Sequence, residues 1–234
     1  MIKQLIFGIV GAFSIFLTPG LGGEERILEK RVTVLVEQSL DLTTRAAATA
    51  INQGFSDNIL LALHYLKNDV RSTEIDWEEI RQPFEAFFVL GPGELFAFHD
   101  TLLPEFEKAD ATMNTDYLSP GGYKTLLGLS GNGVCHLASL MNWAASKAGL
   151  EVLAKVKHDF APIPEVPREH GTSIRTYDKQ QNLYIKNSLE VPVTFVFSVN
   201  SQSVNLKILR PDFLEPRTGI EPVTLPLPRV CSTN

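Results

Sequence analysis

Hydrophobic and polar residues follow two different periods along this chain. Residues 31–36 alternate in the manner of a strand. Residues 43–52, rich in alanine, read as a helix, and Phe55-Ser56-Asp57-Asn58 reads as a break and cap. Ile59, Leu60, Ala62, Leu63 and Leu66 then mark a second helix ending near Asn68. Residues 76–80 predict a short acidic helix stopped before Pro83. Phe84, Phe87, Phe88, Val89 and Leu90 form a compact apolar segment that runs into the turn Gly91-Pro92-Gly93-Glu94. Residues 95–98 follow as a buried strand. From 99 to 128 the chain shows few periodic signals and is expected to wind over one side of the core.

Beyond Gly131-Asn132-Gly133-Val134-Cys135-His136 the period becomes helical. Leu137, Leu140, Met141, Ala144, Ala145 and Ala148 recur on one face, and Gly149 ends the pattern with Leu150 packing back on the last turn. Residues 151–156 read as a strand, and Pro162, Pro164 and Pro167 mark a connection. Residues 172–177, 183–185, 191–199 and 203–209 are the remaining strands, the last two joined by a turn at 200–202. Helices come first and sheet later. The expected fold is α+β, with N-terminal helices and a central cysteine-bearing helix packed on a mostly antiparallel sheet.

The ends differ from the middle. Lys3 followed by an apolar run over residues 5–17 and small residues before Glu24 reads as a signal peptide or N-terminal anchor over 1–23. The chain is therefore expected to be exported, lying outside the cytoplasmic membrane or anchored at its outer face. Residues 24–90 are expected as a helical extension and 91–210 as the main domain. Residues 211–234 are Pro-rich and outside any core, and 215–234 resemble a transfer-RNA gene translated out of frame. Cys231 lies there, which leaves Cys135 as a lone thiol.

Composition narrows the class. The chain has 234 residues, a formal charge of −6 and 44% hydrophobic residues, enough for a domain with its own core. No basic run or aromatic-basic interleaving supports a nucleic-acid partner. No cofactor-binding or zinc-ligand spacing is present, so neither a cofactor nor a metal is expected.

Several marks recur in a recognisable order. They are Pro92-Gly93-Glu94 with Phe96-Ala97-Phe98, Gly122-Tyr123, the Gly131 to His136 run, Ala148-Gly149-Leu150-Glu151, His158, Val166-Pro167 and Asn182-Leu183-Tyr184-Ile185-Lys186-Asn187. Over about residues 56–200 the chain resembles the VanW-like family, which is linked with vancomycin-resistance gene clusters. The chain departs from the family pattern at Asn132, where glycine is usual, at His136, where glutamine is usual, and at Ala97, where serine is usual. The resemblance implies a cell-envelope role, with peptidoglycan or a wall peptide as partner and peripheral or single-anchor membrane association.

Two function classes stay open. Cys135 at a helix start is placed as a nucleophile would be, since the helix terminus favours a thiolate. His158 would be its base, and Asn182, Asp178 or Asn187 would orient that base. The reaction would be amide hydrolysis or transpeptidation in peptidoglycan. Glu94, His136, Asp178 and Asn187 are candidate cleft residues. Alternatively Cys135 is a small packed residue, and the protein is a noncatalytic envelope or peptidoglycan-binding module.

Overall fold

The computed structural model describes residues 31–70 and 74–212. The expected leader, Cys231 and residues 213–234 lie outside the described residues. Strand β1 (Arg31–Asp41) is followed by helix α1 (Thr49–Lys67), helix α2 (Trp77–Ile80), β2 (Phe84–Leu90) and β3 (Leu95–Ala97). A hairpin of β4 (Thr125–Leu126) and β5 (Leu129–Ser130) leads into helix α3 (Val134–Lys147). Then come β6 (Glu151–Leu153), β7 (Tyr184–Lys186), β8 (Val193–Val199) and β9 (Ser203–Asp212). The fold is α+β, with its sheets antiparallel and Cys135 within α3.

The larger sheet has the order β1-β9-β8-β2, and the smaller β3-β7-β6. In β8, Val193, Phe195, Phe197 and Val199 are buried while the residues between them are not, the period-2 signature of a sheet with one covered face. In β1 a bulge between Val34 and Val36 reverses the inward face, so Val34 is exposed and Val36 buried. β1 and α1, from the expected extension, pack into the same hydrophobic cluster as β8, β9 and α3. Phe88 of β2 stacks on Phe195 at 4.5 Å and on Phe96 of β3 at 4.7 Å, which joins the two sheets. On α3, Leu137, Leu140, Met141 and Ala144 are fully buried, as their spacing predicts. Each of the larger ones contributes roughly 2 kcal/mol of burial. Gly149 (φ +79°) ends the helix, and the Leu150 N–H reaches back to the Ala145 carbonyl at 3.1 Å.

Four local expectations need correction. Residues 43–48 are not helical. Asn52 folds that stretch into a loop by accepting from the N–H groups of Arg45 (2.5 Å) and Ala46 (3.1 Å) and donating to the Leu42 carbonyl (3.1 Å). Ser56, Asp57 and Asn58 do not break a helix but sit buried inside α1. Their polar groups are satisfied by distant partners. Asp57 holds Arg81 through two 2.9 Å bonds and also pairs with Lys124, and Ser56 donates to Leu42. Residues 172–177 form no strand, because two of their N–H groups go to α3 side chains. Thr172 donates to Ser139 Oγ (2.8 Å) and Ile174 to Cys135 Sγ (3.3 Å). Pro211 lies in β9, not beyond it. Pairing with β8 stops at Leu209, so only β1 flanks the strand there. Among the described residues no helix is long and apolar enough to cross a membrane.

Candidate functional site

Two glycines set the start of α3. Gly131 (φ +71°) and Gly133 (φ +105°) adopt left-handed conformations. A Cβ on Gly133 would run into the Phe55 carbonyl oxygen, so glycine is what lets the loop pass this close to α1. Asn58 of α1 fastens the same loop. Its amide nitrogen donates to the carbonyls of Lys124 (3.1 Å) and Asn132 (3.0 Å), and its oxygen accepts from the Lys124 N–H (2.8 Å). The Asn132 amide, oriented with its nitrogen toward the carbonyls of Leu126 (3.1 Å) and Leu129 (2.5 Å), holds the β4–β5 hairpin against the helix start.

Cys135, Ser139 and Asn142 follow at spacings that put them on one face of α3. All three bond to residues 172–174. The Cys135 sulfur accepts from the Ile174 N–H at 3.3 Å and lies 3.7 Å from the Ile174 carbonyl oxygen. Ser139 Oγ accepts from the Thr172 N–H, and Asn142 Nδ2 donates to Thr172 Oγ1 at 2.9 Å. This polar stripe sews an irregular segment to the helix.

A cavity of about 690 Å³ opens beside Cys135, at the N-terminal end of α3. Cys135, His136 and His158 all line it. The rings of His136 and His158 meet edge to face with centroids 5.6 Å apart, and Phe160 lies 4.1 Å from His158. His158 Nδ1 is 3.0 Å from the Ala161 carbonyl oxygen. A carbonyl only accepts, so Nδ1 carries the proton and Nε2 is the ring's acceptor. Leu129, Phe160 and Tyr177 border the cavity and are more than 60% exposed, at 66%, 81% and 67%. They give the cavity an apolar rim, and Arg45, His136 and His158 are among the polar residues that line it.

Electrostatics favour neutral groups. Burial pushes the Cys135 thiol up, against the lowering effect of its hydrogen bond with Ile174. This corrects the expectation of a helix-start thiolate. The N–H groups of Val134 and His136 already bond the carbonyls of Gly131 and Gly133, so they are not free to stabilise a charged sulfur. Burial lowers His136 to about 3, with Arg45 and His158 adding to the effect. Burial also lowers His158, against the hydrogen bond to Ala161. At neutral pH the three side chains are a thiol and two uncharged imidazoles.

The other residues singled out in the sequence lie elsewhere. Asn182 is buried, and its amide bonds the backbone of His99, Thr101 and Leu183 rather than His158. Asn187 donates to the carbonyls of Leu90 and Val191, each at 2.9 Å, and closes a turn. Glu94 accepts from the Gly91 N–H at 2.7 Å. Asp178 accepts from the Gln180 N–H and from Gln181 within its own loop. None of these four lines the cavity. Among the described residues no cluster of His, Cys, Asp and Glu is arranged to hold a metal ion.

Sequence reading missed Arg45, which lines the cavity and pairs with Glu165. Nothing local marks it, because its burial depends on a partner 120 residues away. Ser139 and Asn142 could have been found as polar positions interrupting an apolar helix.

A family model described as VanW-like protein matches residues 86–209, from within β2 to within β9. Comparison with curated proteins and with solved structures finds no match. The matched span covers more than half of the chain and contains the helix start, Cys135, His136 and His158, so this chain belongs to the VanW-like family.

Proposed function

We propose that this protein is an envelope module that binds a peptidoglycan or wall peptide in the cavity at the start of α3, without using Cys135 as a nucleophile. The observation that carries the reading is the state of the Cys135 sulfur. It is bonded to the Ile174 backbone, and burial raises its thiol. A sulfur in that position holds the cavity wall, while a mostly apolar lining with a few polar groups suits a peptide. Export, a leader over 1–23 and a main domain over 91–210 belong to the same reading.

The test is retention on insoluble peptidoglycan of the wild type and Cys135→Ser. Serine keeps an acceptor for the Ile174 N–H and removes the thiol. Equal retention is expected. Loss of retention by a folded C135S would overturn the noncatalytic reading.

A cysteine hydrolase or transpeptidase is the second reading. It is favoured by the shared cavity of Cys135 and His158 and by the free acceptor Nε2 on His158. It predicts altered muropeptides with wild type and none with C135S.

A further inference from the structure

Two residues that line the cavity carry buried polar atoms without a partner. Arg45 is 6% exposed as a residue, and its side chain is fully buried. Its Nη2 pairs with Glu165 and lies 3.4 Å from Thr44 Oγ1, but Nε and Nη1 have no partner. His136 is likewise 6% exposed, and its Nδ1 has no partner. Both residues line the same cavity.

A guanidinium stays charged, and each of its buried N–H groups left without an acceptor keeps its full desolvation penalty. Native proteins keep such groups where water, an ion or a ligand completes them. Glu165 takes one edge of Arg45 and also accepts from the Asp41 N–H at 3.1 Å, and its Oε2 is unpaired. Arg45 also lowers the His136 imidazole, which sets the guanidinium's charge beside that ring.

We propose that Arg45 and His136 form the seat for a carboxylate on the ligand of this cavity, with Leu129, Phe160 and Tyr177 holding its apolar part. This inference rests on the peptide-binding reading and names which end of the peptide enters first. A planar guanidinium suits a carboxylate better than any neutral acceptor, because its N–H groups meet two oxygens. The neutral His136 adds a donor when its proton is on Nδ1.

The experiment is a calorimetric titration of the full chain with N-acetyl-leucylalanine as free acid and as C-terminal carboxamide. The acid is expected to bind at least about tenfold tighter, the range of a charge-assisted hydrogen bond. Arg45→Gln alone strands Glu165, so the variants are the double change R45Q/E165Q and His136→Gln, each checked for cooperative unfolding. The double variant is expected to bind acid and amide equally, and H136Q to narrow the preference. Equal binding of acid and amide by the wild type overturns the carboxylate seat and leaves the peptide-binding cavity standing. A preference that survives in R45Q/E165Q overturns it as well. Failure of both probes to bind overturns the seat and counts against the peptide-binding reading together.

Discussion

Acidification should expose the cost of the buried His136. The fold accommodates the neutral ring, placed between Phe55 at 5.5 Å and His158 at 5.6 Å. In the unfolded chain the imidazole takes up its proton near 6.5, whereas in the folded protein burial, Arg45 and His158 hold it at about 3. Between those values the unfolded state binds the extra proton. Stability therefore falls as pH drops from 6.5, and the loss stops growing below about 3. Each pH unit in this window is worth about 1.4 kcal/mol, so the full span is on the order of 4–5 kcal/mol. Urea unfolding of wild type and His136→Gln at a series of pH values isolates the effect, since carboxylates and the other histidines change alike in both to first order. From pH 6.5 to about pH 4 the wild type should lose roughly 3 kcal/mol more than H136Q. Parallel curves for the two proteins would refute the burial argument. A divergence that begins only below pH 4 would do the same.

Further consequences follow from the same contacts. Burial opposes ionisation of Asp57, but hydrogen bonds from Arg81, Lys124 and Gln53 outweigh it and hold the carboxyl below its usual range. Its stabilisation is present above the unfolded carboxyl value and is lost as pH falls through the folded one. Asp57→Asn should cost about 3 kcal/mol by chemical denaturation, the low end for a broken buried pair, because Arg81 and Lys124 can rehydrate. Gly133→Ala forces a Cβ into the Phe55 carbonyl at φ +105° and should cost more than about 2 kcal/mol in the same assay. In a Cys231→Ser background, iodoacetamide should modify Cys135 at least about tenfold more slowly than a free thiol at neutral pH, with the rate rising only in strongly alkaline buffer. Reaction as fast as a low-pKa thiol would show that burial does not govern the sulfur.

The parts legible in the sequence are those fixed by neighbours. The period of Leu137, Leu140, Met141 and Ala144 placed α3, and Gly131 and Gly133 placed its start. The short acidic helix read over 76–80 is α2, with Asp76 as its cap, accepting from the Glu78 and Glu79 N–H groups. The misread parts depend on distant partners. Ser56-Asp57-Asn58 looked like a cap because polar residues favour caps, yet Asn58 bonds residues 66 and 74 positions away. Residues 172–177 carry strand-like alternation, but Cys135 and Ser139 claim N–H groups a ladder would need. The site divided the same way. Cys135, His136 and His158 share the cavity, whereas the amide of Asn182 is used by the backbone around His99. Arg45 became visible only through its burial opposite Glu165.

The claim at the centre is that the cavity at the start of α3 binds a wall peptide without thiol chemistry. Titrating labelled wild type and C135S with purified muropeptides, with the muropeptides analysed by mass spectrometry afterwards, tests it directly. Saturable shifts centred on Leu129, His136, Phe160 and Tyr177 in both proteins, with the muropeptides recovered unchanged, are the expected result. Conversion of muropeptides by wild type but not C135S, or no shift at these residues, would contradict it.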